Sequence, residues 1–313
     1  MKIQCDFSTI KASKRHILSN PITAAFHAIQ ASIEGAGHEI VHENPDVVFV
    51  FGSITKRKMD TERAISIQQH RENGTPIFSL DSALFSTYIR NAMSSSETYM
   101  FRVGYGDCVG TGNFLNSNSD SQRFDWMKEA FKFKEKDPVI DNEGPILFLL
   151  QSERGWQYDD HLPFYSWARK IVKEIRSNTD RKIILRAHPN LDRNPTEMIA
   201  EGYKDIVIER ADRNRMSVLE SIRKAGVVVT HSSSAACESI TEGIPTIALD
   251  KRCVVYDACM KDFSKINNLE TVDWNDREQH LNNWAYTSWT VDEMADPNWL
   301  TYYLQRAGLE KLQ

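Results

Sequence analysis

Short runs of consecutive apolar residues recur along this chain, and they constrain its fold more than any other feature. The longest are Val47–Phe51 and 145–150, and a third lies at 226–230. A β-branched or aromatic run of this length is typical of a strand covered on both faces, as in a parallel sheet. Helix-forming segments separate the runs, so the sequence predicts an α/β fold of alternating strands and helices.

The alternation occurs twice, with an irregular stretch between. The first part predicts strands at 2–7, 47–51 and 75–80 and helices at 23–34 and 60–72. Residues 91–138 are predicted to be mainly extended loop, ending in a charged, linker-like segment at 132–137. The second part predicts five strands and three helices, at 145–150, 182–186, 206–209, 226–230 and 245–249, and at 162–177, 217–224 and 232–242.

The length of 313 residues exceeds the ~250 that one core usually supports. We therefore expect two Rossmann-like doubly wound domains, at 1–138 and 144–290, that face a cleft. Segment 276–313 is predicted to be mostly helical, and its last part, 291–313, is expected to cross back onto the N-terminal domain.

Composition removes several classes of function. No apolar run approaches the ~20 residues of a membrane helix, and the five cysteines form no CxxC pair. We expect a cytoplasmic protein with no membrane partner. The net charge of −5 gives no overall attraction for nucleic acid, so a polyanion would need a local basic patch. The chain has no P-loop motif and no zinc-type spacing, and the absence of a DxD-like motif leaves no metal site predicted.

The most informative segment is 230–250, where a buried strand leads into a helix through Ser232, Ser233 and Ser234. Backbone N–H groups and serine hydroxyls at such a place can bind phosphate oxygens. Glu238, one turn into the helix, is expected to reach the mouth of the site and accept hydrogen bonds from ribose hydroxyls. The alternative is an ordinary helix-capping serine with a solvated glutamate.

Two further groups of polar residues follow predicted strands, where ligands bind in open α/β sheets. The first group is Arg154, Gly155 and Trp156, in which Arg154 could neutralise a phosphate and Trp156 could stack on a base or sugar. In the second, Arg186 and His188 could contact a phosphate, and His188 could protonate a leaving group. A surface ion pair for Arg154 and a structural role for His188 remain open.

The segment 230–250, with Glu238 followed by Glu-Gly-Ile-Pro245, resembles the donor-site motif of GT-B glycosyltransferases. In particular it is similar to capsule-type and tailed-phage-encoded, DNA-modifying transferases. The likeness covers roughly residues 100–300 and includes 102–104, 120–126, 151–156, 175–181, 186–189, 276–277 and Trp289.

The resemblance implies a sugar transfer from a nucleotide sugar to an acceptor hydroxyl. A UDP-sugar is the expected donor, with no permanently bound cofactor. It implies a donor domain at 144–290 that uses Arg154, Gly155, Trp156, Arg186, His188, the three serines and Glu238.

The N-terminal domain would hold the acceptor, with Arg102, Arg123 and Trp126 on the acceptor side. Asp107, Asp81 and His188 are the candidate catalytic groups. A phage origin would place the protein in the host cytoplasm and make a 5-hydroxymethylpyrimidine in double-stranded DNA the acceptor.

Other functions stay open on the sequence alone: transfer to a surface or capsule saccharide, nucleotide-sugar epimerisation, and non-catalytic binding of a nucleotide sugar. The arginines at 102, 123, 154, 181 and 186 bear on this choice. All are predicted in loops or at strand ends, where they could face one polyanion-binding cleft.

Overall fold

A computed structural model of the protein describes residues 1–10, 21–53, 61–92, 99–110, 112–152, 163–188, 193–210 and 218–311. The chain divides into two compact units. The first comprises Met1–Leu84, Met93–Phe124 and Asn282–Gln313, and the second comprises Phe85–Ala92 and Asp125–Leu281. The predicted limits of independently folding domains, 1–138, 144–290 and 291–313, stay a prediction.

The first unit is built on a six-stranded sheet. Its strands are β1 (Lys2–Cys5), β2 (Glu39–Ile40), β3 (Val47–Phe51), β4 (Ile77–Ser82), β5 (Met100–Tyr105) and β11 (Ser288–Thr290). They lie in the order β11-β5-β4-β3-β1-β2, and β1 to β4 are parallel whereas β5 and β11 run antiparallel to their neighbours. The helices of this unit are α1 (Pro21–Gly35), α2 (Glu62–Glu72), α10 (Val291–Met294) and α11 (Pro297–Arg306).

The C-terminal helices pack on the first sheet, as predicted. Trp299 and Tyr303 of α11 are buried in one apolar core with Phe26 of α1 and Phe78 of β4. A Cβ atom on Gly35 would lie 2.5 Å from Cγ of Pro297, so the approach of α1 to α11 requires glycine there. A capping box between Thr290 and Glu293 begins α10 and sets the path of the tail.

The second unit is built on a five-stranded parallel sheet in the order β10-β9-β6-β7-β8. Its strands are β6 (Ile146–Leu149), β7 (Ile183–Arg186), β8 (Ile206–Glu209), β9 (Val227–Thr230) and β10 (Thr246–Ala248). Its helices are α3 (Ser86–Ala92), α5 (Phe164–Asn178), α6 (Arg193–Ala200), α7 (Val218–Ile222) and α8 (Ala235–Thr241). Apolar side chains cover both faces of this sheet, in agreement with the continuous apolar run of its middle strand β6.

The irregular stretch predicted at 91–138 is the main error of the sequence analysis. It contains β5 and α4 (Gln122–Ala130), a helix that continues from one unit into the other, as does α9 (Arg277–Ala285). The linker-like residues 132–137 lie in no helix or strand, but they are held to the second unit because Lys136 N–H donates to Thr241 O at 2.9 Å. Gly243, with φ of +75°, lets this segment approach closely, since a Cβ there would lie 2.1 Å from Asp137 O.

Among the described residues, no helix is both long enough and apolar enough to cross a membrane. All five cysteines are buried and free.

Candidate functional site at the carboxyl ends of β6 and β9

The order of strands in the second sheet creates a crevice beside its first strand. From β6 the chain proceeds to β7 and β8 on one side and then to β9 and β10 on the other. The apolar contacts of α5, which follows β6, lie on one face of the sheet, and those of Ala235 in α8, which follows β9, lie on the other. In open α/β sheets this arrangement leaves a crevice outside the carboxyl ends of the two strands, where ligands bind.

Gln151 and Ser232 meet in this crevice. Gln151 follows β6, and its Oε1 accepts a hydrogen bond from Ser232 N–H, after β9, at 2.8 Å. Ser232 Oγ lies 3.3 Å from the same oxygen. Both residues are buried, at 6% and 8% exposure. We call them the polar floor of the crevice.

A histidine and an aspartate that the sequence analysis did not select extend this floor. His231 precedes Ser232, and its Nδ1 lies 3.1 Å from Ser232 Oγ. Its Nε2 lies 3.3 Å from Oδ2 of Asp250, a residue that follows β10. Arg252 pairs with both oxygens of Asp250, at 2.9 and 2.7 Å. Burial alone would raise the pKa of Asp250, but the hydrogen bonds from Arg252 and the charge of His231 hold it below its usual value.

The same signal that selected His188 could have found these residues, because Gln151, His231 and Asp250 all stand one or two positions after a strand.

The other two serines lie at the start of α8. Ser233 Oγ accepts from Ala235 N–H at 3.2 Å, and Ser233 N–H donates to Thr230 Oγ1 at 3.2 Å. Ser234 is the N-cap residue, and its side chain caps no N–H group among the described residues. Both serines are half-buried.

Glu238 lies deeper than predicted. It is completely buried, and its Oε1 accepts from Thr87 N–H at 2.9 Å, near the start of α3. Its Oε2 has no hydrogen-bond partner among the residues the structure describes. Burial raises the pKa of this carboxyl, and the hydrogen bond from Thr87 offsets the effect only in part. Contact with a ribose stays a prediction, and it requires that α3 uncover the carboxylate.

The predicted residues after β6 and β7 are only partly covered by the structure. Arg154, Gly155 and Trp156 lie outside the described residues. His188 is half-buried at the end of β7, beside β6 in the sheet. Arg186 is 6% exposed; it pairs with Glu209 and donates to Ser221 Oγ at 2.7 Å, so its guanidinium is held inside the sheet edge.

The predicted catalytic carboxylates of the first unit are both engaged. Asp81 pairs with Arg102 at 2.7 Å. Asp107 accepts from Ser53 Oγ at 3.0 Å, from Cys108 N–H at 2.7 Å and from Arg71 at 3.3 Å. The two carboxylates lie on either side of Cys108: Arg102, which pairs with Asp81, also donates to Cys108 O at 2.7 Å, and Cys108 N–H donates to Asp107.

The predicted acceptor-side residues differ in exposure. Arg102 is 6% exposed and also donates to the carbonyl oxygens of Ser82 and Cys108. Arg123 forms two hydrogen bonds with the Glu293 carboxylate, at 2.8 and 2.9 Å, and stacks 3.9 Å above the ring of Trp289. Trp126 is 41% exposed, with an edge contact to Phe131.

Of the five arginines that the sequence placed at one cleft, the four that the structure describes are each bonded within their own unit, and Arg154 lies outside the described residues. Arg181, like Arg102, Arg123 and Arg186, points inward: it donates to the carbonyl oxygens of Gly144, Ile266 and Asp141 at 2.6–2.8 Å. Within the described residues, no group of three or more His, Cys, Asp or Glu side chains could hold a metal ion.

No protein-family profile matches the chain, and no curated protein is significantly similar to it. Two solved structures of Thermosulfurimonas dismutans KpsC are similar in fold. The β-Kdo 2,4 transferase has a TM-score of 0.50 at 13% identity, over 92% of this chain and 90% of that one. The β-Kdo 2,7 transferase has a TM-score of 0.51 at 13% identity, over 94% and 97%.

A UDP-GlcNAc 2-epimerase from Methanocaldococcus jannaschii covers 96% of this chain and 100% of its own, at 13% identity. Its TM-score of 0.39 is too low for any conclusion. The KpsC likeness and the two sheets agree with the predicted α/β class. The chain therefore has a GT-B-like fold, with two Rossmann-like α/β units.

Proposed function

We propose that the protein is a glycosyltransferase that takes its sugar from a nucleotide sugar bound at the crevice between β6 and β9. The observation that carries this proposal is the polar floor formed by Gln151, Ser232 and His231 at the topological switch point. The likeness in fold to two Kdo transferases supports the class of reaction. A UDP-sugar is the first donor to test.

The described part of the crevice offers neutral hydroxyl groups as hydrogen-bond donors. The hydroxyl groups of Ser232, Ser233 and Ser234 would hold the donor phosphates. In the transfer, the acceptor oxygen bonds to the anomeric carbon while the bond from that carbon to the phosphate oxygen breaks. Donors placed around the departing phosphate stabilise its growing charge.

His188 is the candidate that lies on the same sheet edge as the donor crevice, at the end of the strand next to β6. We propose that it donates a proton or a hydrogen bond to the departing phosphate. The acceptor hydroxyl must lose its proton to a base, and Asp81 and Asp107 remain the proposed bases for that role. Each would have to exchange its present partners for the acceptor hydroxyl.

For the acceptor we propose a saccharide hydroxyl. DNA binding draws on arginines and lysines that are free to contact phosphates. Arg102, Arg123, Arg181 and Arg186 are instead committed to internal carboxylates and carbonyl oxygens. Transfer to 5-hydroxymethylpyrimidine in DNA is the alternative acceptor, and its test belongs to the same experiment.

The experiment is an incubation of the full chain with UDP-, GDP-, TDP-, ADP- and CMP-sugars and with three acceptor sets: oligosaccharides, hydroxymethylated DNA and plain DNA. Mass spectrometry reads both acceptor and donor. Addition of one sugar mass to an oligosaccharide is the expected result, and addition to hydroxymethylated DNA would replace the saccharide by DNA as acceptor. A donor converted to its epimer without transfer would make the protein an epimerase, and an unchanged donor in every mixture would contradict catalysis.

A further inference from the structure

The imidazole of His231 lies between a carboxylate and a hydroxyl. On one side Nε2 is 3.3 Å from Asp250 Oδ2, and on the other Nδ1 is 3.1 Å from Ser232 Oγ. His231 is 0% exposed, and the indole of Trp167 from α5 packs edge-on against its ring at 5.2 Å between centroids. Its contacts therefore fix the ring orientation.

The ring partners also fix the tautomer. Nε2 lies within ion-pair distance of Asp250 Oδ2, at 3.3 Å, and the negative charge of an ionised carboxylate there attracts an N–H group and repels a nitrogen lone pair, so it favours the hydrogen on Nε2. In neutral His231 the hydrogen is then on Nε2, and Nδ1 must accept from Ser232 Oγ–H. In protonated His231 both nitrogens donate, so Nδ1–H donates to Ser232 Oγ. The Ser232 hydroxyl hydrogen then no longer points to His231 and can be donated to another acceptor.

The released hydrogen has two acceptors within the crevice. Gln151 Oε1, 3.3 Å from Ser232 Oγ, already accepts the backbone N–H of Ser232. A phosphate oxygen is the stronger acceptor because the bond to it is assisted by charge. Protonated His231 thus favours a serine that donates to phosphate, and neutral His231 favours a serine that donates into the protein.

We propose that His231 is a positioning residue that, held by Asp250, decides through its own protonation whether the Ser232 hydroxyl donates to the donor phosphate. This inference rests on the proposed function, since it concerns the same crevice. His231 does not contact the phosphate itself. It acts through Ser232.

Several elements bring polar or charged groups to His231. After β10 come Asp250 and its partner Arg252, β6 brings the Gln151 amide, and β9 continues into Ser232. Arg252 shares the Asp250 carboxylate and so weakens the hold of Asp250 on an imidazolium. The two pH values of the test lie on either side of the ordinary histidine pKa of about 6.5.

The test is a calorimetric titration of the full chain with UDP-glucose at about pH 5.5 and pH 8.5. Both phosphates of this probe are esterified, so it lacks the ionisation near pH 6 that a terminal phosphate has. Wild type is expected to bind about tenfold more tightly at the lower pH, the effect of one hydrogen bond to a charged group. If UDP-glucose does not bind, the same titration uses whichever sugar of the GDP, TDP, ADP and CMP series does.

Two variants distinguish positioning from a merely structural role. His231→Asn places a permanent amide donor near the position of Nδ1, so its affinity should be high at both pH values. Ser232→Ala removes the hydroxyl, so its affinity should be low at both. His42→Asn, at an exposed histidine of the first unit, is the control and should keep the wild-type pH dependence.

A second measurement needs no ligand. Imidazole ¹⁵N NMR, with His231 assigned from the His231→Asn spectrum, should show the hydrogen on Nε2 at high pH and both nitrogens protonated at low pH. A neutral ring with its hydrogen on Nδ1 would overturn the inference, and so would a wild-type pH dependence retained by His231→Asn. A failure of every nucleotide sugar to bind would instead overturn the proposed function.

Discussion

Gln151 accepts a hydrogen bond from the backbone N–H of Ser232, and this bond joins the ends of β6 and β9 where a doubly wound sheet holds its ligand. One side chain thus has two tasks. It satisfies a buried N–H group, and it determines the charge and shape of the crevice floor.

Replacing Gln151 separates these tasks. Gln151→Ala leaves the Ser232 N–H without its acceptor, which should lower the free energy of unfolding by about 1–3 kcal/mol. Gln151→Glu keeps an acceptor oxygen but adds a negative charge, so stability should be largely retained while affinity for any nucleotide sugar falls at least tenfold. Urea denaturation and calorimetry measure the two effects. Equal loss of affinity and stability in both variants would contradict a binding role for the crevice.

Glu238→Gln should make stability less dependent on pH. Because burial raises the pKa of Glu238 in the folded state, the unfolded chain releases this proton first, near its ordinary pKa of about 4.3. As the pH rises from there towards the folded-state pKa, ionisation of the unfolded chain lowers the free energy of unfolding. The variant should therefore match wild type near pH 4 and exceed it near pH 7, as measured by denaturant titration.

Glu293→Gln is the control, because this substitution should change the pH dependence of stability in the opposite direction. Burial would raise its pKa, but the hydrogen bonds and charge of Arg123 outweigh burial and lower it. Its contribution to stability is present above the unfolded pKa and is lost as the pH falls through the folded pKa. Glu293→Gln should thus be less stable than wild type near pH 7 and approach it in acid. The same pH trend in both variants would refute the assignment for Glu238.

Arg123 is predicted to stabilise the first unit rather than to bind an acceptor. Its guanidinium joins the start of α4 to Glu293 and to the Ser288 carbonyl oxygen near the C-terminus. Arg123→Ala should lower the free energy of unfolding by about 1–3 kcal/mol, because it removes the charged partner of a half-buried carboxylate and leaves the Ser288 carbonyl oxygen without this donor. Arg123→Lys should recover only part of this loss, since lysine cannot form the two-pronged contact. Chemical denaturation measures both, and a stable Arg123→Ala that loses only acceptor affinity would contradict the prediction.

Trp126 is the predicted acceptor-side residue whose side chain is well exposed, at 41%. Trp126→Ala should lower the free energy of unfolding by about 1–3 kcal/mol, since more than half of the side chain is covered by the protein. If it contacts the acceptor, the variant should raise the KM for acceptor several-fold and leave donor affinity unchanged. An unchanged KM would remove it from the acceptor side.

The second sheet could be predicted from sequence because its strands are buried on both faces. Ile146–Leu149 is apolar throughout and Val227–Thr230 is apolar except for its last residue, and such short runs between helices are typical of buried strands. The same reading failed at β5, where Arg102 and Gly104 interrupt the apolar pattern. Arg102 is tolerated in this buried strand because Asp81 neutralises its charge and the carbonyl oxygens of Ser82 and Cys108 accept hydrogen bonds from it. Asp81 and Ser82 belong to the neighbouring strand β4, which the local sequence around Arg102 does not show.

The candidate site could be located from sequence, but its internal contacts could not. The ends of the predicted strands indicated Ser232 and His188 as site residues. The pairing of His231 with Asp250 could not be predicted in this way, because it depends on β9 and β10 being neighbours in the sheet. Likewise, a glutamate one turn into a helix looks solvent-facing until α3, far away in sequence, covers Glu238. Side-chain direction after a strand is set by tertiary partners that local spacing does not show.

Calorimetric titration of the full chain with the series of nucleotide sugars, for wild type and Gln151→Glu in parallel, tests the central claim most directly. The account predicts that at least one nucleotide sugar binds wild type at a single site and binds Gln151→Glu at least tenfold more weakly, while the two proteins unfold at similar denaturant concentrations. Equal affinity of both proteins for that nucleotide sugar, or no binding of any member of the series to wild type, would contradict a donor site between β6 and β9.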